Sequence, residues 1–390
     1  MSEVTTDDRN LPRSADRQVW DKALDRMVGR IRRALATDPD GFPHIGDPKS
    51  GAWITSPDGF WTGGFWVGVL WLAHHYTGEE VFRRAAEHWL KRLSVRVDSR
   101  TVFRGFLFYP GAVVGAELTG SELPHDIAIR AARSLARDYS SVAGLIPLGR
   151  EAEEAHTVGD NDANIDGLIA SPLMLWAAKQ TGEADLRNKA LSHAYRSAEF
   201  FVQADNSVIQ SASFDPATGR VLRRYTHKGF ADDSIWTRAQ AWAMLGYTLS
   251  AKEAPDEPRL ARQAEAVAAW WLTNIPDDKV AFWDFSAPRT PETWRDTSGT
   301  AIAAAALLKF AAVTGDHARW GQPAEETVQA LVERHLTPVG ADDNRPDGIL
   351  ADGCFDVRND NALENELIWG DYFLFESLGR LSGRLDGTSI

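Results

Sequence analysis

Apolar positions recur with the 3.6-residue period of an α-helix over most of the chain. The pattern predicts about twelve helices, over roughly 14–36, 62–77, 80–94, 107–119, 125–139, 162–181, 184–204, 234–251, 258–274, 297–314, 322–336 and 363–382. Two kinds alternate. One is apolar all round and rich in Ala, Gly and Trp, as in GFWVGVLWLA and TAIAAAALLKF. The other is amphipathic, as in RRAAEHWLKRL (83–93) and RLARQAEAVAAWWL (259–272). A helix without a polar face is buried on every side, whereas an amphipathic one covers a core with one face. Such alternation predicts two concentric layers, an all-α (α/α)6 barrel of six helical hairpins. An open α-solenoid would have shorter and more regular repeats.

A weak repeat supports the hairpins. LWLAHHYTG ends at Gly78, VVGAELTG at Gly120, LWAAKQTG at Gly182 and LLKFAAVTG at Gly315. Gly is favoured just past a helix C-terminus, so each Thr-Gly marks a helix end. The first two spacings, 42 and 62 residues, each hold one helical hairpin and its loop. Ser207–Tyr225 reads as a small β-hairpin around the turn in FDPATG. No low-complexity linker interrupts the pattern, so one domain over residues 1–390 is expected, with about the first 12 residues flexible.

Composition changes this picture little. Hydrophobic residues make up 44% and charged residues 25% of the 390, which excludes a disordered or collagen-like chain. The net charge of −13 gives no general attraction for nucleic acid or an anionic membrane. An acidic ligand would have to be held by a few local cations. A single cysteine, Cys354, excludes an internal disulfide. The N-terminus MSEVTTDDRN lacks a basic segment followed by an apolar one, and the longest apolar candidate for a membrane span, Ala301–Phe310, is short. A cytoplasmic location is the expectation. The 15 tryptophans are the unusual number, because flat indole faces serve both helical cores and sugar-binding clefts.

Metal, nucleotide and nucleophilic-serine motifs are missing: there is no HExxH, GxGxxG, Walker loop or GxSxG. Carboxylates remain. Asp160, Asp162 and Asp166 precede an apolar helix in HTVGDNDANIDGLIASPLMLWAA. The first two suit the positive end of a helix dipole. Asp166 lies a turn further in, where partial burial would raise its pKa and suit a general acid. In THKGFADDSIWTRAQAWAMLGY (226–247), Arg238 and Trp242 are four apart and share a helix face. The pair suits a carboxylate clamp beside a sugar-stacking ring, or else a buried ion pair of Arg238 with Asp232 or Asp233. Asp296 or Ser298 suits an N-cap.

These segments, with GFWTGGFWVGVLWLA, FWDF, DTSGTAIAAAALL and ELIWGDYFLFESL, are similar in sequence and order to the unsaturated glucuronyl hydrolases of glycoside hydrolase family 88. The resemblance covers about 53–381 and extends more distantly to the rhamnogalacturonyl hydrolases. It implies an (α/α)6 barrel acting, without metal or organic cofactor, on a small anionic oligosaccharide or glycoside ending in a 4,5-unsaturated uronic acid. Asp166 matches the family's general acid/base, and Trp61, Trp236, Arg238 and Trp242 match residues of the pocket-forming motifs. The loop around Asp352–Arg358 matches one that meets the second sugar. Linkage, sulfation preference and oligomeric state are not implied.

Three pocket positions depart from the family. Phe103, followed by Arg104, stands where HDxGF has a second essential Asp. Gln210 replaces a His before the FDP turn, and Lys228 replaces the Gln of THQGY. Arg104, Gln210 and Lys228 are therefore expected to line the pocket, with the two cations making it more positive and depressing the Asp166 pKa. Asp98 is one candidate to replace the missing acid. A lyase or hydratase using Lys228 as a second proton-handling group, or a non-catalytic sugar-binding protein, are the other readings.

Overall fold

In the computed structural model, residues 14–159, 161–386 and 390 are described; the expected flexible start lies outside them. The chain runs α1 (Ser14–Ala36), β1 (Phe42–Gly46), β2 (Trp53–Ser56), α2 (Gly63–Thr77), α3 (Glu80–Leu93), α4 (Arg104–Phe108), α5 (Val114–Thr119), α6 (Glu122–Arg137) and α7 (Ala155–Val158). It continues through β3 (Ala163–Asn164), α8 (Ala170–Thr181), α9 (Ala184–Phe201), β4 (Ser211–Phe214), β5 (Val221–Tyr225), α10 (Thr237–Glu253) and α11 (Pro258–Asn274). The last elements are α12 (Thr297–Thr314), α13 (Gln322–Arg334), β6 (Glu366–Leu367) and α14 (Ile368–Leu381).

The apolar helices close a ring. α2 packs on α4–α5, α4 on α8, α8 on α10, α10 on α12, α12 on α14, and α14 again on α2. Each has an amphipathic partner outside: α3, α6, α9, α11, α13 and, for α14, the N-terminal α1. The fold is the (α/α)6 barrel. The burial follows composition: from Thr297 to Ala311 every residue of α12 is buried, while α3 buries only Phe82, Ala86, Trp89, Leu90 and Leu93. By length and composition α12 would suffice to cross a membrane, unlike the shorter run expected, but 83% of it is buried inside the barrel. That makes it a core helix.

The Thr-Gly ends behave as expected. Gly78, Gly120, Gly182 and Gly315 close α2, α5, α8 and α12 with φ of 74, 63, 74 and 73°, the left-handed region that a side chain disfavours.

Differences from the expected helices lie at the other end of the ring. The predicted helix over 162–181 begins instead as strand β3 and a 3₁₀ turn, Ile165–Ile169. Its polar Asp and Asn residues favour local alternatives to a helix, and β3 pairs with β4 of the expected hairpin. The segment 363–382 likewise starts as β6, the edge of a sheet β2-β1-β6. The fourth helical stretch starts earlier than predicted, at Arg104, and widens into a π turn at Tyr109–Val113, where Pro110 lacks an N–H. Both small sheets thus sit where inner helices begin.

Candidate active site

The inner helices begin on one side of the barrel, and the motifs singled out in the sequence all fall there. Trp61 precedes α2, Phe103 precedes α4, Asp166 precedes α8, Trp236 precedes α10, Asp296 precedes α12 and Leu367 precedes α14. Helix N-termini carry partial positive charge and favour an anion nearby.

Asp166 lies on the 3₁₀ turn between β3 and α8 and is 8% exposed. The turn is fixed from behind: the Gly167 carbonyl accepts from His193 Nε2 at 2.9 Å, and Gly167 packs against Val102. One carboxyl oxygen, Oδ2, has no hydrogen-bond partner among the described residues. Burial, and then the negative charge of Glu154, push this carboxyl up to about 6, against the pull of Lys228 and His227. The expected depression is therefore reversed. Removal from water outweighs the nearby cations, and one of those cations is already neutralised.

That cation is Lys228. Its ammonium, buried with its neighbours, forms an ion pair with Glu154 Oε1. The other oxygen of Glu154 accepts from His227 Nε2 at 3.0 Å and from Asn164 Nδ2 at 3.2 Å. Burial alone would raise the Glu154 carboxyl, but Lys228 and His227 together hold it well below the usual carboxylate range. Gln210 supports the same cluster. Its Oε1 accepts from the Lys228 backbone N–H at 3.0 Å, which leaves its Nε2 facing His227 at 3.4 Å. Ser211 Oγ meets His227 Nδ1 at 2.8 Å. Strands β3, β4 and β5 carry or adjoin these residues, so the small sheet sets their register. Lys228 held in an ion pair is a cation beside Asp166, which does not suit the role of a base.

Arg238 is fully buried and pairs with neither Asp232 nor Asp233. Its Nη1 donates to Asp296 Oδ2 at 2.6 Å, and its Nη1 and Nη2 also donate to the carbonyls of Cys354 and Phe355. Asp296 is also the expected N-cap, its Oδ1 accepting from the Ser298 and Gly299 N–H groups at 3.1 and 3.2 Å. The guanidinium is thus a strut that ties the 352–358 loop to the barrel, not a free carboxylate clamp. Its flat face lies 4.3 Å from the Trp236 ring centroid.

Aromatic rings complete the cluster. Trp61 meets Trp369 at 4.8 Å, Phe106 at 5.5 Å and Phe355 at 6.3 Å between centroids. Trp242 meets Phe106 at 4.5 Å. Phe103 stacks on Phe106 at 6.0 Å, so the position expected to be acidic extends this apolar wall. Phe355 lies under the Lys228 ammonium at 4.5 Å. His44 of β1 packs against Phe60, Phe355 and Trp369, and burial followed by the charge of Lys228 pushes its imidazole down to about 4.

Two further expectations fail on geometry. Arg104 does not face the cluster: it is fully buried and bonds outward to Asp138, to Ser134 of α6 and to the Thr101 carbonyl. Asp98 is 70% exposed and pairs with Arg137, so it cannot replace an acid inside the barrel. Two residues escaped sequence reasoning. Glu154 sits in the charged run EAEEAH, which reads as a solvated loop, and His44 sits on a short strand with no motif around it.

Comparison with known proteins bears on the family and the fold. The sequence profile of Glycosyl Hydrolase Family 88 matches residues 143–347. An unsaturated glucuronyl hydrolase of Bacillus sp. (strain GL1) is 32% identical over 381 residues, covering 95% of this chain and 98% of that one. Its crystal structure superposes with a TM-score of 0.84, covering 93% of this chain and 96% of that one at 32% identity. An unsaturated chondroitin disaccharide hydrolase of Streptococcus pyogenes serotype M1 is 27% identical, over 92% of this chain and 90% of that one. The chain belongs to glycoside hydrolase family 88 and is a glycoside hydrolase.

Proposed function

We propose that the enzyme hydrolyses oligosaccharides or glycosides ending in a 4,5-unsaturated uronic acid, with Asp166 as the general acid and then the general base. The observation that carries this reading is the Asp166 carboxyl, buried, pushed up to about 6 and left with one free oxygen. A carboxyl in that state is half protonated near pH 6, is still about a tenth protonated at pH 7, and delivers its proton to a substrate atom instead of to a protein partner. In the proposed step, Asp166 gives its proton to C4 of the vinyl ether, and positive charge develops at C5 and the ring oxygen. Water adds at C5 while the Asp166 carboxylate takes up one of its protons. The hemiketal so formed opens and releases the remaining sugar. Of the aromatic wall, Trp61 and Phe355 keep 7% of their surface exposed and offer apolar faces to a sugar ring, with Trp369 fully buried behind them. The helix N-termini and Lys228 favour its carboxylate. The relatives from Bacillus and Streptococcus, by their names, act on the same class of substrate.

The test is ultraviolet absorbance of the conjugated double bond across a panel of unsaturated disaccharides. Loss of absorbance on mixing is expected. A gain of absorbance from a saturated uronide would indicate a lyase instead, and binding without any change would indicate a sugar-binding protein.

A further inference from the structure

We infer that Glu154 supplies the second acidic group of this site from a surface loop, as a positioning residue that holds Lys228 and His227 beside Asp166 and keeps Asp166 a proton donor. This rests on the proposed role of Asp166. The barrel position between α3 and α4 that would carry an acid holds Phe103 instead, buried and stacked on Phe106. The segment 102–105 packs directly on the Asp166 turn, with Val102 against Gly167 and Gly105 against Ile169 and Ala170. An apolar ring there removes a charge from beside Asp166. Glu154 restores one from a different direction.

The contacts of Glu154 are too many for a solvated loop acid. Its side chain is 13% exposed and receives Lys228, His227 and Asn164, the last only two residues before Asp166. The neighbouring charges are otherwise engaged. Glu153 faces Arg96, Asp162 accepts from Ser213 Oγ and Tyr225 Oη, and His44 meets Thr62 Oγ1 and packs on Phe355. Arg238 is spent on Asp296. Among the described residues, Glu154, His227 and Lys228 are therefore the ionisable groups that set the field at Asp166, and the same three appear among the causes of its shift. Without Glu154, the Lys228 ammonium would act unopposed on Asp166 and favour its ionised form. Lys228 and Glu154 thus belong together: the cation in the site is compatible with a protonated Asp166 only because the loop acid accompanies it.

The test uses the full chain labelled with ¹³C-carboxyl aspartate, the Asp166 signal being identified by its loss in Asp166→Asn. In Glu154→Gln the Asp166 midpoint is expected to fall by about one pH unit. The descending limb of kcat should move with it, with kcat at neutral pH about tenfold lower and KM changed much less. Because Glu154→Gln leaves Lys228 unpaired, the double variant Glu154→Gln/Lys228→Gln is measured beside it. Removing both opposed charges should return the midpoint toward that of the unmodified chain. A midpoint that stays in place in Glu154→Gln, or that remains displaced in the double variant, overturns the inference. If the unmodified chain consumes no unsaturated disaccharide while the midpoint still moves, the proposed reaction falls and the role of Glu154 stands.

Discussion

Arg238 Nη1 and Asp296 Oδ2 lie 2.6 Å apart, and neither side chain reaches solvent. The two come from adjacent inner helices, and the same guanidinium holds the carbonyls of Cys354 and Phe355. Removing one charge of a buried pair leaves the other uncompensated, which costs far more than the pair contributes. Asp296→Ala, which also loses the α12 cap, is expected to lower stability by roughly 3–5 kcal/mol. Thermal or denaturant unfolding measures this, and a change below about 1 kcal/mol would contradict the strut assignment.

Arg238→Lys keeps the charge but not the fork. A lysine has no planar set of donors to reach Asp296 and two carbonyls together. The expected result is a fold retained but the 352–358 loop loosened, seen as faster amide exchange in that loop and a KM raised more than kcat is lowered.

Asp166→Asn is expected to abolish turnover while leaving the fold intact. Its effect on stability has a definite sign. The folded pKa is raised above the unfolded value, so the contribution of Asp166 is fully present below about pH 4 and is lost as pH rises through about 6. The variant should therefore match the unmodified chain in acid and exceed it near pH 8, by up to roughly 3 kcal/mol. Unfolding curves at both pH values check this, and equal stability throughout would contradict the raised carboxyl.

Activity should follow the same group. The protonated acid is needed first, so kcat/KM is expected to fall as pH rises through about 6. In Lys228→Gln the nearby cation is gone, and the descending limb should move to higher pH. A limb that moves down instead would show that Lys228 does not oppose the proton on Asp166.

Phe103→Asp places a carboxyl in an apolar wall that offers it no partner in the unmodified chain. A loss of roughly 2–4 kcal/mol and no gain in turnover are expected, because the site already holds Glu154. Turnover on the disaccharide panel, with melting temperature alongside, decides it.

The layers of the barrel were legible in the sequence because burial on all sides demands helices like 63–77 and 297–314 that have no polar face. The four Thr-Gly ends were legible because glycine relieves a left-handed cap. The N-cap of Asp296 was legible by position, yet its second partner, Arg238, was not, since 58 residues separate them and nothing local marks the pair. Arg104 misled for a related reason: adjacency to a motif says nothing of which way a long side chain turns. Glu154 was hidden by composition, because a charged run reads as solvated until the fold lays His227 and Lys228 across it.

The pairing of α1 with α14 also bears on how the molecule assembles. Arg30 Nε donates to Glu366 Oε1 at 2.8 Å across 336 residues, and Gly46 of β1 lies against the same glutamate. Such remote partners cannot meet until the chain between them has been made, so ring closure is late relative to the local hairpins. The charged cluster joins residues 154–228, but the aromatic wall draws on Phe355 and Trp369 and is complete only once that ring closes. Half of the site is local in the chain and half depends on its far end.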